Sequence, residues 1–174
     1  VVCQEVANNI LVNVAEILHN MMGFDYPDDV PLYLLSRREM NFLKKNSSTL
    51  LHGGNIPPGI TIAEKKVYAI YMLTALPISR FVSVLTHEYT HIWAAKNKLT
   101  GMRSSLAEGF AEWVSSKIQH ILGYEEEVRK KKKKTTNYIS TFTRLFTIER
   151  EHGIKGVLHY VYACKEEPPL KNLA

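Results

Sequence analysis

Between Val84 and Ala94 the chain reads VLTHEYTHIWA, which sets His87 and His91 four residues apart and Glu88 directly after the first histidine. Residues at that spacing share one face of a helix, so two imidazoles can aim at a single ion while the carboxylate beside them reaches a neighbouring water. Phe81, Val84, Leu85, Glu88, His91, Ile92 and Ala95 follow the i, i+3, i+4, i+7 period, which predicts a helix after Pro77 with Glu88 and His91 on its buried face. A buried polar group without a partner costs roughly 2 to 7 kcal/mol, and more if it is charged. Coordination of a metal ion is one way to supply that partner.

Two histidines and a base are an incomplete site, because a catalytic zinc takes three protein ligands and keeps its fourth position open. After His91 the next histidine is His120, too far along to complete the pair by local spacing. A second predicted helix, SSLAEGFAEWVSSKI, instead offers Glu108 and Glu112, again four apart. Glu108 has a competing role: Ser105-Leu106-Ala107-Glu108 has the spacing of a helix capping box, in which the glutamate would bond backbone rather than metal.

HEYTH followed by LAEGFAEW resembles the gluzincin peptidases, in which a glutamate on the next helix, often followed by glycine, completes the zinc sphere. Aminopeptidase N-type enzymes carry a similar Glu-Gly-Phe-Ala segment. A closer resemblance, through VPLYLL, GITIAE, AIYMLTALPISRFVSVLTHEYTHIW and Glu108-Gly109, is to the LIM-domain, ubiquitin-activated peptidases that limit plant organ size, the DA-one family. It runs from about Val30 to Gly156. The resemblance implies Zn2+ held by His87, His91 and Glu108, Glu88 as general base, Glu112 orienting a ligating histidine, and hydrolysis of peptide bonds. Tyr138 sits where aminopeptidase N-type enzymes carry a tyrosine that meets the oxyanion, with His152 as the alternative donor. Thr141 stands in place of the glycine those enzymes have. The arrays of cysteine and histidine that build LIM modules are missing, so regulation by ubiquitin does not carry over. The Gly-x-Met-Glu-Asn segment that holds a free amino terminus is missing too, which favours an endopeptidase.

The rest of the chain must position these residues. Its 174 residues, 45% hydrophobic and 22% charged, suit one domain with one substantial core, over 1–174. Val6, Ile10, Val14, Ile17 and Leu18 give a helical period from Glu5 to Met22, closed by Gly23. Val30 to Leu35 reads as a strand, followed by a short helix around Arg38 to Lys44. HGGNIPPG, His52 to Gly59, is a turn-rich loop leading into ITIA, Ile60 to Ala63, an expected edge strand. Val67 to Leu76 fits a strand or a helix equally. His19, His52, His120 and His159 have no motif around them and read as surface or satisfied core residues.

The formal charge of +5 comes from one segment: Arg129 to Lys134 is wholly basic, and the remainder has slightly more acidic than basic side chains. A block of like charge is a solvated loop or a lure for an acidic partner, and it does not make a nucleic-acid surface. Cys3 and Cys164 are too few for a disulfide scaffold. No apolar run approaches the roughly 18 residues of a membrane span. With neither a basic leader nor a cleavage site visible in it, the N-terminus does not read as a signal peptide, which leaves localisation open and favours the cytoplasm over secretion. The first residue is valine, which suits a piece of a longer chain with a regulatory module upstream. The expected fold is α+β: a small mixed sheet with an edge strand above a two-helix zinc site, gluzincin-like. The expected function is a zinc endopeptidase acting on extended protein segments. The rival is a zinc-stabilised interaction domain without turnover that docks an acidic partner through the lysine-rich run.

Overall fold

The computed structural model describes residues 2–25, 30–46, 57–64, 67–99, 101–124 and 139–164. Tyr138, His52 and the basic run Arg129 to Lys134 lie outside those residues. Five helices and three strands follow in the order α1 (Gln4–Met22), β1 (Leu32–Leu35), α2 (Arg37–Asn46), β2 (Gly59–Glu64), β3 (Val67–Leu73), α3 (Ile78–Lys96), α4 (Ser104–Ile121) and α5 (Ile139–Cys164), counted among the described residues. This is the expected α+β architecture with a small mixed sheet.

The first helix ends as its sequence requires. Gly23 takes the left-handed conformation, φ 68°, and its N–H donates to the His19 carbonyl at 2.8 Å, a closure for which glycine has no Cβ penalty. The run after Glu64, ambiguous in sequence, is a strand as far as Leu73 and then a turn, and the chain enters α3 directly after Pro77. The first strand is shorter than expected, beginning at Leu32. Pro31, lying just ahead of it, still accepts a hydrogen bond from Ile70 N–H at 3.0 Å.

The sheet has the order β1-β3-β2, with β3 parallel to β1 and antiparallel to β2. On β3 the N–H groups of Ile70 and Thr74 point to β1, onto Pro31 and Leu35, while that of Leu73 points to Pro58 ahead of β2. Alternation then fixes the other strand. Ile60, Ile62 and Glu64, which pair with Tyr71, Ala69 and Val67, turn their backbone polar groups toward β3. Gly59, Thr61 and Ala63 turn theirs to the open edge.

Helix α3 is the centre of the molecule, packed on the sheet, on α4 and on α1. It is therefore buried almost all round, including Ser83, Thr86, Tyr89 and Thr90 as well as the apolar residues. This corrects the expectation that Glu88 and His91 sit on the buried face: with His87 they form the partly open stripe of the helix. Periodicity locates the buried face of a helix packed on one side, and it fails for one enclosed on several. Phe24 stacks on Trp93 with ring centroids 3.9 Å apart, and Phe110 fills the space between Trp93 and Trp113. Glu149 ties α5 to α4, accepting from the Trp113 indole at 3.0 Å and pairing with Lys117 at 2.5 Å. Cys3 and Cys164 are free thiols. Among the described residues no helix is long and apolar enough to cross a membrane.

Candidate metal centre

Helices α3 and α4 are antiparallel neighbours, and one polar contact per turn sets their register. Gln119 donates to the Ser79 carbonyl at 3.3 Å, and one turn on Ser115 donates its hydroxyl to the Ser83 carbonyl at 2.8 Å. The small side chains of Ser83 and Ser115, both fully buried, let the two helices approach. The next turn of α3 brings His87 opposite Glu112 and Glu108, and the one after that brings His91 opposite Glu108. A helical pitch of about 5.4 Å carries the same register from the serine contact up to the site.

Three ligand atoms, one each from His87, His91 and Glu108, lie within 4.8 Å of one another. Nε2 of His87 is 3.1 Å from Nε2 of His91 and 3.2 Å from Oε2 of Glu108, while Oε1 of Glu108 is 3.4 Å from Nε2 of His91. Two imidazole nitrogens cannot face each other at that distance without a proton or a cation to satisfy their lone pairs. The convergence of both nitrogens on one carboxylate is a donor set that fits a metal ion.

The two glutamates occupy different sides of His87. Glu108 meets Nε2, on the side where His91 also points, and Glu112 meets Nδ1 at 3.3 Å from within the helix interface, where its side chain is buried. A carboxylate on the far nitrogen of a ligating histidine fixes its tautomer and ring orientation. The capping-box alternative for Glu108 fails: α4 begins at Ser104, its N-cap is Arg103, and no side chain caps it. Gly109 serves the site from behind, since a Cβ there would lie 2.8 Å from Cγ2 of Thr141. The absence of that Cβ lets the start of α5 pack against α4 directly after Glu108.

Charge in the site is organised around His87. Burial opposes its positive charge, yet the hydrogen bonds to Glu108 and Glu112 and the charge of Glu88 outweigh that and push its pKa up to about 9. The same bonds to His87 and His91 hold the Glu108 carboxyl well below the usual carboxylate range, against the effect of its own partial burial. The charge balance of the group is thus compatible with a cation among its donor atoms.

Glu88 does not join the three ligand atoms. Its carboxylate accepts a hydrogen bond at Oε2 from the Thr61 hydroxyl at 2.7 Å, and the same hydroxyl lies 3.1 Å from the Glu88 backbone carbonyl. The alternation of GITIA marks Thr61 as a strand residue, but nothing in its spacing points to a glutamate 27 positions away. His152 is an exposed side chain whose ion-pair neighbour is Glu151 at 4.0 Å, and it is not among the converging ligand atoms. His19 bonds the Phe24 carbonyl at 2.9 Å, which satisfies it at the end of α1. Compared with known proteins, the chain matches no family model, no curated protein and no solved structure.

Proposed function

We propose that the protein is a zinc endopeptidase of the gluzincin kind. The observation that carries this reading is the separation of roles on α3: His87 and His91 converge with Glu108, while Glu88, on the same stripe, is kept out of the ligand group and tethered to the sheet. A site built only for stability has no need of a carboxylate beside its metal that is kept from ligating it. Two imidazoles and one carboxylate suit zinc, which takes nitrogen and oxygen ligands in a tetrahedral set and leaves a place open for catalysis. When bound, zinc supplies Lewis-acid polarisation of a carbonyl and makes a water more acidic.

The remaining work belongs to the chain. Glu88 takes the proton of the attacking water on the carboxylate oxygen that Thr61 does not occupy, then delivers it to the leaving amine. Glu112 holds the His87 ring at Nδ1 and so keeps Nε2 aimed at the ligand group. The edge of β2 supplies the means of holding an extended peptide: Gly59, Thr61 and Ala63 turn their N–H and C=O groups away from β3, without a strand partner on that side among the described residues. Backbone pairing of this kind suits a flexible protein segment of mixed sequence.

Glu88→Gln tests the reading directly. The amide keeps the size of the side chain and can still accept from Thr61, so zinc content and melting temperature should match the wild type. Hydrolysis of a peptide library should fall by at least about a hundredfold, the low end of what a general base contributes. A Glu88→Gln protein that cleaves at the wild-type rate would rule the mechanism out.

A further inference from the structure

We infer that Thr61 is a positioning residue that joins substrate seating to base orientation, with its backbone facing the peptide and its hydroxyl holding Glu88. The inference rests on the peptidase reading above and adds a part to it. Thr61 belongs to the set of β2 residues whose backbone groups face away from β3, because it lies opposite Ile70, whose N–H goes to Pro31 on the β1 side, while Ile60 and Ile62 lie opposite Tyr71 and Ala69, which share the alternation of Leu73 toward β2. Its side chain leaves the face of the sheet toward α3, where the hydroxyl meets both the carboxylate and the backbone carbonyl of Glu88. One residue of the strand therefore touches the substrate path with its main chain and the base with its side chain.

The close approach of strand and helix has its own cause two residues upstream. A Cβ on Gly59 would lie 2.5 Å from Cγ1 of Val84, 2.9 Å from Sδ of Met72 and 3.2 Å from Cγ of Glu88. Only glycine lets β2 come close enough to α3 for the short threonine side chain to span the gap. The hydroxyl has one proton to give and two oxygens of one residue to receive it, so rotation of the Glu88 side chain away from Thr61 would lose the shorter contact. A hydrogen bond to a charged acceptor is among the stronger ones, and at a base it acts by restricting the carboxylate to one orientation. Displacement of β2 by a badly seated peptide would move the hydroxyl and the base together.

The test compares wild type, Thr61→Val and Thr61→Ser as zinc-loaded proteins on a quenched fluorescent peptide chosen from a library that the wild type cleaves. Valine keeps the strand, the shape and the outward N–H and removes only the hydroxyl; serine restores it. Thr61→Val should bind one zinc as before and lose about ten- to a hundredfold in kcat, the range expected for a hydrogen bond to a charged group, with KM changed less than about threefold. Thr61→Ser should recover most of that kcat. A second measurement needs neither metal nor turnover: in the metal-free protein the melting shifts of Thr61→Val and Glu88→Ala should be non-additive, because each removes the same contact. Unchanged kcat in Thr61→Val, failure of Thr61→Ser to recover, a change confined to KM, or additive melting shifts would overturn the inference. A zinc-loaded wild type that cleaves nothing in the library would overturn the peptidase reading itself, and the role of Thr61 with it.

Discussion

Glu112 reaches Nδ1 of His87 at 3.3 Å, on the opposite side of the ring from the nitrogen that faces Glu108 and His91. The two glutamates of α4, equivalent by spacing, are thereby given different work. His87→Ala, His91→Ala and Glu108→Ala should each leave the protein without bound zinc after dialysis. Glu112→Ala should keep one zinc per chain and weaken its affinity by about 10- to 100-fold, as loss of a carboxylate behind a ligating histidine does. Zinc content by atomic absorption and competition with a chromogenic chelator distinguish the two. Loss of metal in Glu112→Ala with retention in Glu108→Ala would reverse the assignment.

Proline substitutions along β2 separate the edge from the ladder. Thr61→Pro and Ala63→Pro remove N–H groups that face outward, and Ala63→Pro does so without touching the hydroxyl on Glu88. Both should keep zinc, with cleavage of the library peptide weakened about tenfold by a rise in KM for Ala63→Pro. Ile62→Pro removes an N–H paired within the sheet and leaves the Ala69 partner unsatisfied, so it should cost about 2 kcal/mol of stability in urea melts. Normal cleavage by both outward-facing variants would exclude edge-strand binding.

The contact between Ser83 and Ser115 lies one turn from the ligands and sets how closely the two helices approach. Ser115→Leu should lower stability by about 1 to 3 kcal/mol through overpacking. It should also weaken zinc binding, because the two ligand-bearing helices are pushed apart. Ser115→Ala keeps the close approach and should retain wild-type affinity. Denaturant melts and zinc titrations on the same two proteins check this, and equal zinc affinity in both would detach the helix register from the site.

In the metal-free protein, pH acts on the site through His87 and Glu108 in opposite directions. The His87 pKa is raised in the fold from an ordinary 6.5 to about 9, so its stabilisation is fully present below 6.5 and is lost as pH rises through 9. The Glu108 pKa is lowered, so its contribution is present above the ordinary carboxylate value of about 4.5 and is lost as pH falls below it. Protein stripped with a chelator should therefore be most stable between these limits, and its melting temperature should drop by about 5 °C between pH 6.5 and 9. His87→Gln should abolish that drop. A melting temperature that stays flat over this window would mean that the glutamates do not hold a proton on His87.

Local pattern in the chain is enough to place the α1 helix and its glycine stop, the helix after Pro77, the strand at GITIA, and the candidates for the site. Each is written in local spacing: 3.6-residue and two-residue periods, a residue that tolerates positive φ, two histidines one turn apart. The choice between Glu108 and Glu112 was open by spacing, because both lie on one face of α4 and Glu108 also fits a capping box. The antiparallel register of α3 and α4 distinguishes them by presenting one carboxylate to each nitrogen of His87, Glu108 on the side that His91 shares. The partly open stripe of α3 is not legible in its periodicity for a related reason: burial on several sides depends on neighbours that are distant in the chain. The direction of each backbone group on β2, and the bond from Thr61 to Glu88, likewise belong to the tertiary structure, since strand pairing and the approach of strand to helix are set by packing between segments that no local pattern connects.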